Sequence, residues 1–323
     1  MGRNRYTSAS RQYFYIGFES QAIRTLLRLS FGYFHRFVEF RGRESRQRRT
    51  MAPKNADRFS AAEQGLGYLY QPRFALLQLL QLPEETSLFI EKEDDLDFVD
   101  EGGHKTLGSL KHKAEGERLT DLSSDFWKSV RIWLTRYKSS GNTESTHRFY
   151  LFTTSEASST SFLKEFLPSA SADSVDGLSR VTFADAALAG TQSVMIQTIA
   201  NDLHALTEDE QIDFWRRVTI FDGAPRITDI PGLIKDTHMR SVRRESRDAI
   251  YERLEGWWNH AVLALLTGKR LDPLYGYEVS DKLTAIADEY RADNLPITFR
   301  GVMPEVEIDT ANDARCRLEN WRR

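Results

Sequence analysis

The chain has 323 residues, 40% hydrophobic and 28% charged, with a formal net charge of −3. That length suits one large or two smaller globular units with ample core, and the charge balance excludes a bulk polycation while allowing a local basic site. The single cysteine, Cys316, excludes a disulfide framework or a cysteine zinc site and fits a reducing cytoplasm, and no apolar run reaches the roughly 18 residues of a bilayer span, so no membrane is expected.

The first 50 residues carry eleven arginines, three glutamates and no lysine. Three readings are open for residues 1–59: a basic DNA-binding arm, an amphipathic targeting or membrane-surface helix in YFYIGFESQAIRTLLRLSFGYFHRF, or a mis-assigned start with Met51 as the true one. The last is the expectation. Ordinary globular patterning begins after Met51. From Ser60 to Leu82, apolar residues recur at helical spacing (Leu66, Leu69, Tyr70, Phe74, Leu77, Leu80), and Pro72 predicts a turn or a fresh helix start. TSLFIEKE (86–93) predicts a short strand. DLDFVD (95–100) and KTLGSLKHK (105–113) predict a β-hairpin around EGG. SSDFWKSVRIWLTRY (123–137) predicts a helix, with serines to cap it, Asp125 in its first turn, and Phe126, Val130, Trp133 or Leu134, and Tyr137 along one face. HRFYLFTTS (147–155) predicts an apolar strand.

Residues 161–204 are rich in Ser, Ala and Thr and read as a connecting region of short helices and loops. From 205 to 323 the pattern is helical and predicts a partner-binding domain. Thr207 and Glu210 form a capping-box signature. RRESRDAIYERLEGWWNHAVLALLTG predicts a long helix stopped at Gly268, and SDKLTAIADEYRADNLP another, ended before Pro296. LLTGKR is a helix end rather than a phosphate loop, because Leu263 and Arg270 stand where that loop needs Gly and Ser or Thr.

Strand residues two apart share a face. Ser109, Lys111 and Lys113 therefore point one way, Leu110 and His112 the other, while Asp95 and Asp97 share a face of the preceding strand. An acid meeting Lys111 across the hairpin is what metal-assisted phosphodiester hydrolysis requires. Carboxylates hold Mg²⁺ or Mn²⁺, and a lysine orients the attacking water or stabilises developing charge. On spacing alone, a solvated hairpin of mixed charge is the favoured reading. Lys128 and Arg131, beside Trp127 and Trp133, offer contacts to a DNA backbone, as does Lys113; tryptophans so placed are more often core. None of the seven histidines makes an HExxH pair, and His112 is expected to pack rather than catalyse.

The order helix, three strands, helix, strand is that of the PD-(D/E)xK nuclease superfamily. GYLYQPRFALLQLL, FIEKEDDLDF, LKHK and LTDLSSDFWKSVRIWL resemble the double-stranded DNA endonuclease domain of bacterial anti-phage effectors: CBASS-type nucleases, the Lamassu nuclease subunit and ABC-three-component proteins. The resemblance covers about residues 60–160. More diffusely, RRVTIFDGAPRITDIPGLI and YGYEVSDKLTAIADEYRADNLPITF resemble the C-terminal domain of ABC-three-component proteins. The resemblance implies an α/β, restriction-endonuclease-like αβββαβ core followed by a mainly helical domain. It implies metal-dependent cleavage of double-stranded DNA in phage defence, and oligomeric assembly with a structural-maintenance-of-chromosomes (SMC)-like ATPase and a further small subunit. It makes Asp95 the metal-binding aspartate, with Asp94 its rival, and Lys111 the catalytic lysine; Glu91 and Gln71 match positions that extend the site. Where the superfamily has (E/Q)xK, this chain has Ser109-Leu110-Lys111, and a serine is a weak, neutral ligand. Three functions are open: an endonuclease effector; a non-catalytic adaptor on a degenerate nuclease fold; and, ranked last because the C-terminal half shows no clear ligand motif, a small-molecule-sensing effector.

Overall fold

The first helix, α1, spans Ala61–Gln81 in one piece with Pro72 inside it, which corrects the expected interruption. A proline deletes one i→i−4 bond. The carbonyl that loses its partner belongs to Tyr68, whose side chain is 72% exposed, so that flank of the helix is open to water. The next turns bury Phe74, Leu76, Leu77 and Leu79, and the Pro72 carbonyl accepts a 2.7 Å bond from Trp258 Nε1. The structure is a computed structural model and describes residues 61–168 and 177–291; the arginine-rich extension, Pro296 and Cys316 lie outside them.

Strands β1 (Ser87–Ile90), β2 (Leu96–Val99) and β3 (Lys105–Lys111) form an antiparallel meander. The short β4 (Arg118–Leu119) precedes α2 (Ser124–Ser139), which carries the chain over to β5 (Arg148–Thr153), parallel to β3. A parallel neighbour requires such a crossover. After β6 (Glu156–Ala157), which pairs with β4, come α3 (Gly177–Leu188), α4 (Val194–His204), α5 (Glu208–Arg217) and β7 (Val218–Phe221), parallel to β5. Helices α6 (Ile230–His238) and α7 (Arg247–Leu266), strand β8 (Leu274–Tyr275) and helix α8 (Gly276–Glu289) complete the described chain. The main sheet has six strands in the order β7-β5-β3-β2-β1-β8. The architecture is thus mixed α/β, and its first six large elements run α, β, β, β, α, β as expected.

Helices cover both faces of the sheet. Leu96, Phe98, Leu110, Tyr150 and Phe152 pack against α1, α6, α7 and α8 through Phe74, Ile234, Leu254, Trp258 and Val279. Leu107, Phe149, Leu151 and Ile220 pack against α2 to α5 through Trp127, Trp133, Phe214 and Trp215. Two expectations change here. Residues 161–204 do more than connect, because Val181, Leu188, Ile196 and Ile199 of α3 and α4 belong to the second core. The region after 205 is mainly helical, yet it supplies β7 and β8 to the same sheet, so the expected boundary runs through one sheet. The Thr207–Glu210 capping box forms, and Gly268, at φ 71°, follows the end of α7. Among the described residues no helix is long and apolar enough to cross a membrane.

Candidate functional site

The turn between β1 and β2 is built around buried Asp97. Its two carboxylate oxygens accept the backbone N–H groups of Glu93 (2.9 Å) and Asp94 (3.1 Å), and the Glu91 N–H bonds to the Asp95 carbonyl at 3.1 Å. Glu91 takes a left-handed conformation, φ 55°, which a non-glycine residue adopts at a cost. Burial pushes the Asp97 carboxyl up to about 6. Asp94 turns into the core: Oδ2 accepts the Trp133 indole N–H at 2.6 Å and Oδ1 accepts the Asp95 N–H at 2.9 Å. Burial, and then the neighbouring Asp95 charge, raise its carboxyl to about 6. Asp94 is therefore a strut of the turn, which corrects its placement as a metal ligand.

Asp95 faces the other way. Leu96 pairs with Gly108, so the next position out sets Asp95 opposite Ser109. Its Oδ2 accepts the Leu110 N–H at 2.6 Å and the Ser109 hydroxyl at 3.4 Å, and lies 3.6 Å from Lys111 Nζ. Lys111 donates to Ser109 Oγ at 2.9 Å. From α1, Gln71 Nε2 donates both to Asp95 Oδ1 (3.1 Å) and to Glu91 Oε1 (2.7 Å). Five of the expected residues, Gln71, Glu91, Asp95, Ser109 and Lys111, thus converge where β3 ends.

Among the described residues, no group of three or more His, Cys, Asp or Glu side chains is arranged to hold a metal ion. The expected triple of Asp95, Asp94 and Glu91 is reduced to a pair by the inward turn of Asp94. The remaining donors suit a hard cation. Glu91 and Asp95 converge on the single Gln71 amide nitrogen, whose exchange with the amide oxygen is a 180° flip. Mg²⁺ commonly takes one or two carboxylates and completes its shell with water.

The expected DNA contacts divide. Lys113 is held by Asp125 and lies 3.5 Å from Glu117. Lys128 is exposed, 3.8 Å from Asp125, and Arg131 is exposed on the same helix. Trp127 and Trp133 are core. His112 packs on Tyr70, ring centroids 5.0 Å apart, on the face opposite Lys111. Two partners of the site were not expected from sequence. Trp133 fixes Asp94, and buried Ser129 on α2 bonds Ser109 Oγ at 2.8 Å. The signal for Ser129 was its position as a lone hydroxyl on the apolar face formed by Phe126, Val130 and Trp133.

Neither a family model nor a curated protein matches the chain. Solved structures do. A Cap4 SAVED/CARF-domain containing receptor from Acinetobacter baumannii matches at 13% identity and a TM-score of 0.41, over 69% of this chain and 47% of the receptor. Its form with the cyclic trinucleotide 2'3'3'-cAAA gives 13% and 0.39, over 69% and 46%. The Moraxella osloensis counterpart gives 15% and 0.38, over 70% and 50%. The chain spans about half the length of these receptors. A likeness at this identity and TM-score assigns neither ligand nor activity.

Proposed function

We propose that this chain is a metal-dependent double-stranded DNA endonuclease, the effector of a bacterial anti-phage defence complex. The observation that carries the reading is the meeting of Gln71, Glu91, Asp95, Ser109 and Lys111, drawn from α1, the β1–β2 turn and β3, at one end of an αβββαβ core. Glu91 and Asp95, with Gln71, are the residues that would hold a Mg²⁺ or Mn²⁺ ion, which would polarise the phosphate and lower the pKa of the attacking water. Asp95 is preset by the Leu110 N–H, so it needs little reorganisation to serve. Lys111, steadied by Ser109, places its ammonium where charge develops on the phosphate. Lys128 and Arg131 attract the backbone without reading sequence. The family resemblance adds the SMC-like ATPase and the small subunit as partners that restrain a nuclease harmful to its own cell.

Digestion of linear and circular plasmid DNA with Mg²⁺ or Mn²⁺, with and without the partners, tests the reading. Asp95→Ala and Lys111→Ala are expected to lose at least about 100-fold in rate with an unchanged circular dichroism spectrum, and to abolish protection from phage. Cutting at the parental rate by both variants would overturn the assignment. The neutral hydroxyl of Ser109 in the acid's place favours a second reading, a non-catalytic adaptor; DNA that is bound but uncut under every condition would support it.

A further inference from the structure

Strands β3, β5 and β7 are parallel and end together. Their continuations are tied across that end. The Thr154 N–H bonds to the Lys111 carbonyl at 3.1 Å, the Lys113 N–H to Thr154 Oγ1 at 2.7 Å, and the Ala224 N–H to the Thr153 carbonyl at 2.8 Å. The carboxyl ends of parallel strands are where open α/β sheets place their ligands. On the face opposite Lys111, three polar groups meet at this end. Tyr70 on α1 is 1% exposed, and its buried hydroxyl has no hydrogen-bond partner among the described residues. The His112 ring packs on it with centroids 5.0 Å apart, and His112 Nε2 is likewise buried and unpartnered among them. Arg226 is half-buried in the segment after β7. It donates from Nη1 to the Lys113 carbonyl at 3.2 Å, its one hydrogen bond among the described residues, where no carboxylate pairs with it either. Its charge reaches both rings: burial pushes the Tyr70 phenol up and Arg226 pulls it back, while burial and then Arg226 push the His112 imidazole down. A buried polar atom left without a partner is costly, and native proteins seldom leave two side by side.

We propose that Tyr70, His112 and Arg226 form a recess for one phosphate of the DNA backbone, beside the phosphate that is cut. The proposal rests on the nuclease reading above and deepens it. All three groups can donate: the phenol O–H, the Nε2–H tautomer of a neutral imidazole, and the guanidinium N–H groups not used on Lys113. Three donors, one of them a fixed positive charge without a carboxylate, suit a phosphate oxygen and repel a cation. Half-buried Arg226 and His112 make the mouth of the recess, and Tyr70 its floor. Chain connectivity fixes its relation to the proposed site: Tyr70 precedes Gln71, and His112 follows Lys111 on the other face of the same strand end. A duplex backbone lying over that end meets Lys111 on one side and the recess on the other. The contact reads no base. It sets register, holding the neighbouring phosphodiester over Asp95 and Lys111.

The test is binding of a labelled double-stranded DNA to the full chain, by fluorescence anisotropy in chelating buffer over a range of salt. The parent is compared with Arg226→Gln, Arg226→Lys and Tyr70→Phe, with plasmid cleavage in Mn²⁺ and urea unfolding run alongside. Arg226→Gln is expected to weaken binding about tenfold or more and to reduce the slope of log affinity against log salt by about one, a slope that Arg226→Lys keeps. Tyr70→Phe removes a single oxygen atom. It is expected to weaken binding about three- to tenfold, while its unfolding midpoint stays level or rises, because the lost hydroxyl has no partner among the described residues. The opposite pattern, a lower midpoint with parental DNA affinity, means that a buried water satisfies the hydroxyl and no phosphate enters, and it overturns the proposal. Should Arg226→Gln fail to fold, Tyr70→Phe decides by itself: weaker binding at a level midpoint supports the recess and parental affinity overturns it. A parent that binds no DNA in this buffer also overturns it, since the three donors need no metal. Cleavage judges the nuclease reading separately. A parent that cuts, with variants that bind as it does, keeps that reading and loses only the recess, whereas a parent that neither binds nor cuts loses both.

Discussion

Replacing Trp133 by phenylalanine separates the two things this side chain does. Trp133 is fully buried, and its indole N–H is bonded to Asp94 Oδ2 at 2.6 Å. A hydrogen bond to a charged group contributes about 1.5–3 kcal/mol, and the smaller ring leaves a void costing about 1 kcal/mol more. At pH 7.5 the variant should therefore be less stable by about 3 kcal/mol. The cavity part does not depend on pH; the hydrogen-bond part does. Burial holds the Asp94 carboxyl at about 6 in the fold, above its ordinary value near 4. Its ionisation thus opposes folding, and stability falls as pH rises through that window. The indole N–H favours the ionised form, so its loss moves the carboxyl higher still. Acidification to pH 5 should then restore more stability to the variant than to the parent, narrowing the gap to about 1 kcal/mol. Asp97 titrates in both proteins and cancels from the difference. The assay is urea unfolding at a series of pH values in chelating buffer, so that no cation perturbs Asp95. Parallel stability curves across pH 5–7.5 would show that the Trp133 bond to Asp94 carries no charge-dependent energy, and the account of Asp94 as an ionised strut would fall.

Asp97→Ala removes the acceptor for the Glu93 and Asp94 N–H groups and should cost about 2–3 kcal/mol in urea unfolding, with DNA cleavage falling because Asp95 loses its place; full cleavage in this variant would separate the turn from the site. Pro72→Ala returns an N–H to the Tyr68 carbonyl and should raise stability by about 1–3 kcal/mol, checked by thermal unfolding, with no change in the Trp258 bond to the backbone carbonyl of residue 72. Ser109→Glu, which supplies the acid of the nuclease motif that the sequence resembles, should destabilise the chain by about 1–3 kcal/mol and give no gain in cleavage; faster cleavage would show that the pocket has room.

Local periodicity made some of this legible. Alternation along 95–100 and 105–113 contained both the hairpin and the facing of an aspartate of its first strand toward Lys111, because both depend only on the two-residue pleat; that this aspartate is Asp95 came from the resemblance. The apolar stripe of α2 and the capping box at Thr207 are equally local. What was not legible depends on contacts distant in sequence. VTIF, residues 218–221, carries no mark saying that it pairs with β5 some seventy residues earlier. The helices within 161–204 read as connections because their apolar positions acquire meaning only against α2 and α5. Asp94 and Asp95 are adjacent and identical in type, and Trp133, thirty-nine residues on, decides which one is buried. Pro72 misled because a propensity argument cannot see that its flank faces water.

The serine at 109 shows why a departure from a motif has to be judged in three dimensions. Read along the strand, it is a missing ligand. In the fold, Ser109 is 1% exposed, and its hydroxyl already touches Lys111, Ser129 and Asp95 at 2.9, 2.8 and 3.4 Å. One hydroxyl has two lone pairs and one hydrogen, so these three neighbours use its whole capacity. A glutamate would bring additional heavy atoms into that space and face α2 across a 2.8 Å contact, which a close-packed interior does not absorb without strain. The hydroxyl and α2 have therefore adjusted to one another: Ser129 fills the volume, Ser109 steadies the Lys111 ammonium, and negative charge on this face is carried by Asp95 from the β1–β2 turn. Catalytic competence then turns on whether Asp95 and Glu91 reach one cation, a question of geometry that the tripeptide Ser109-Leu110-Lys111 does not contain.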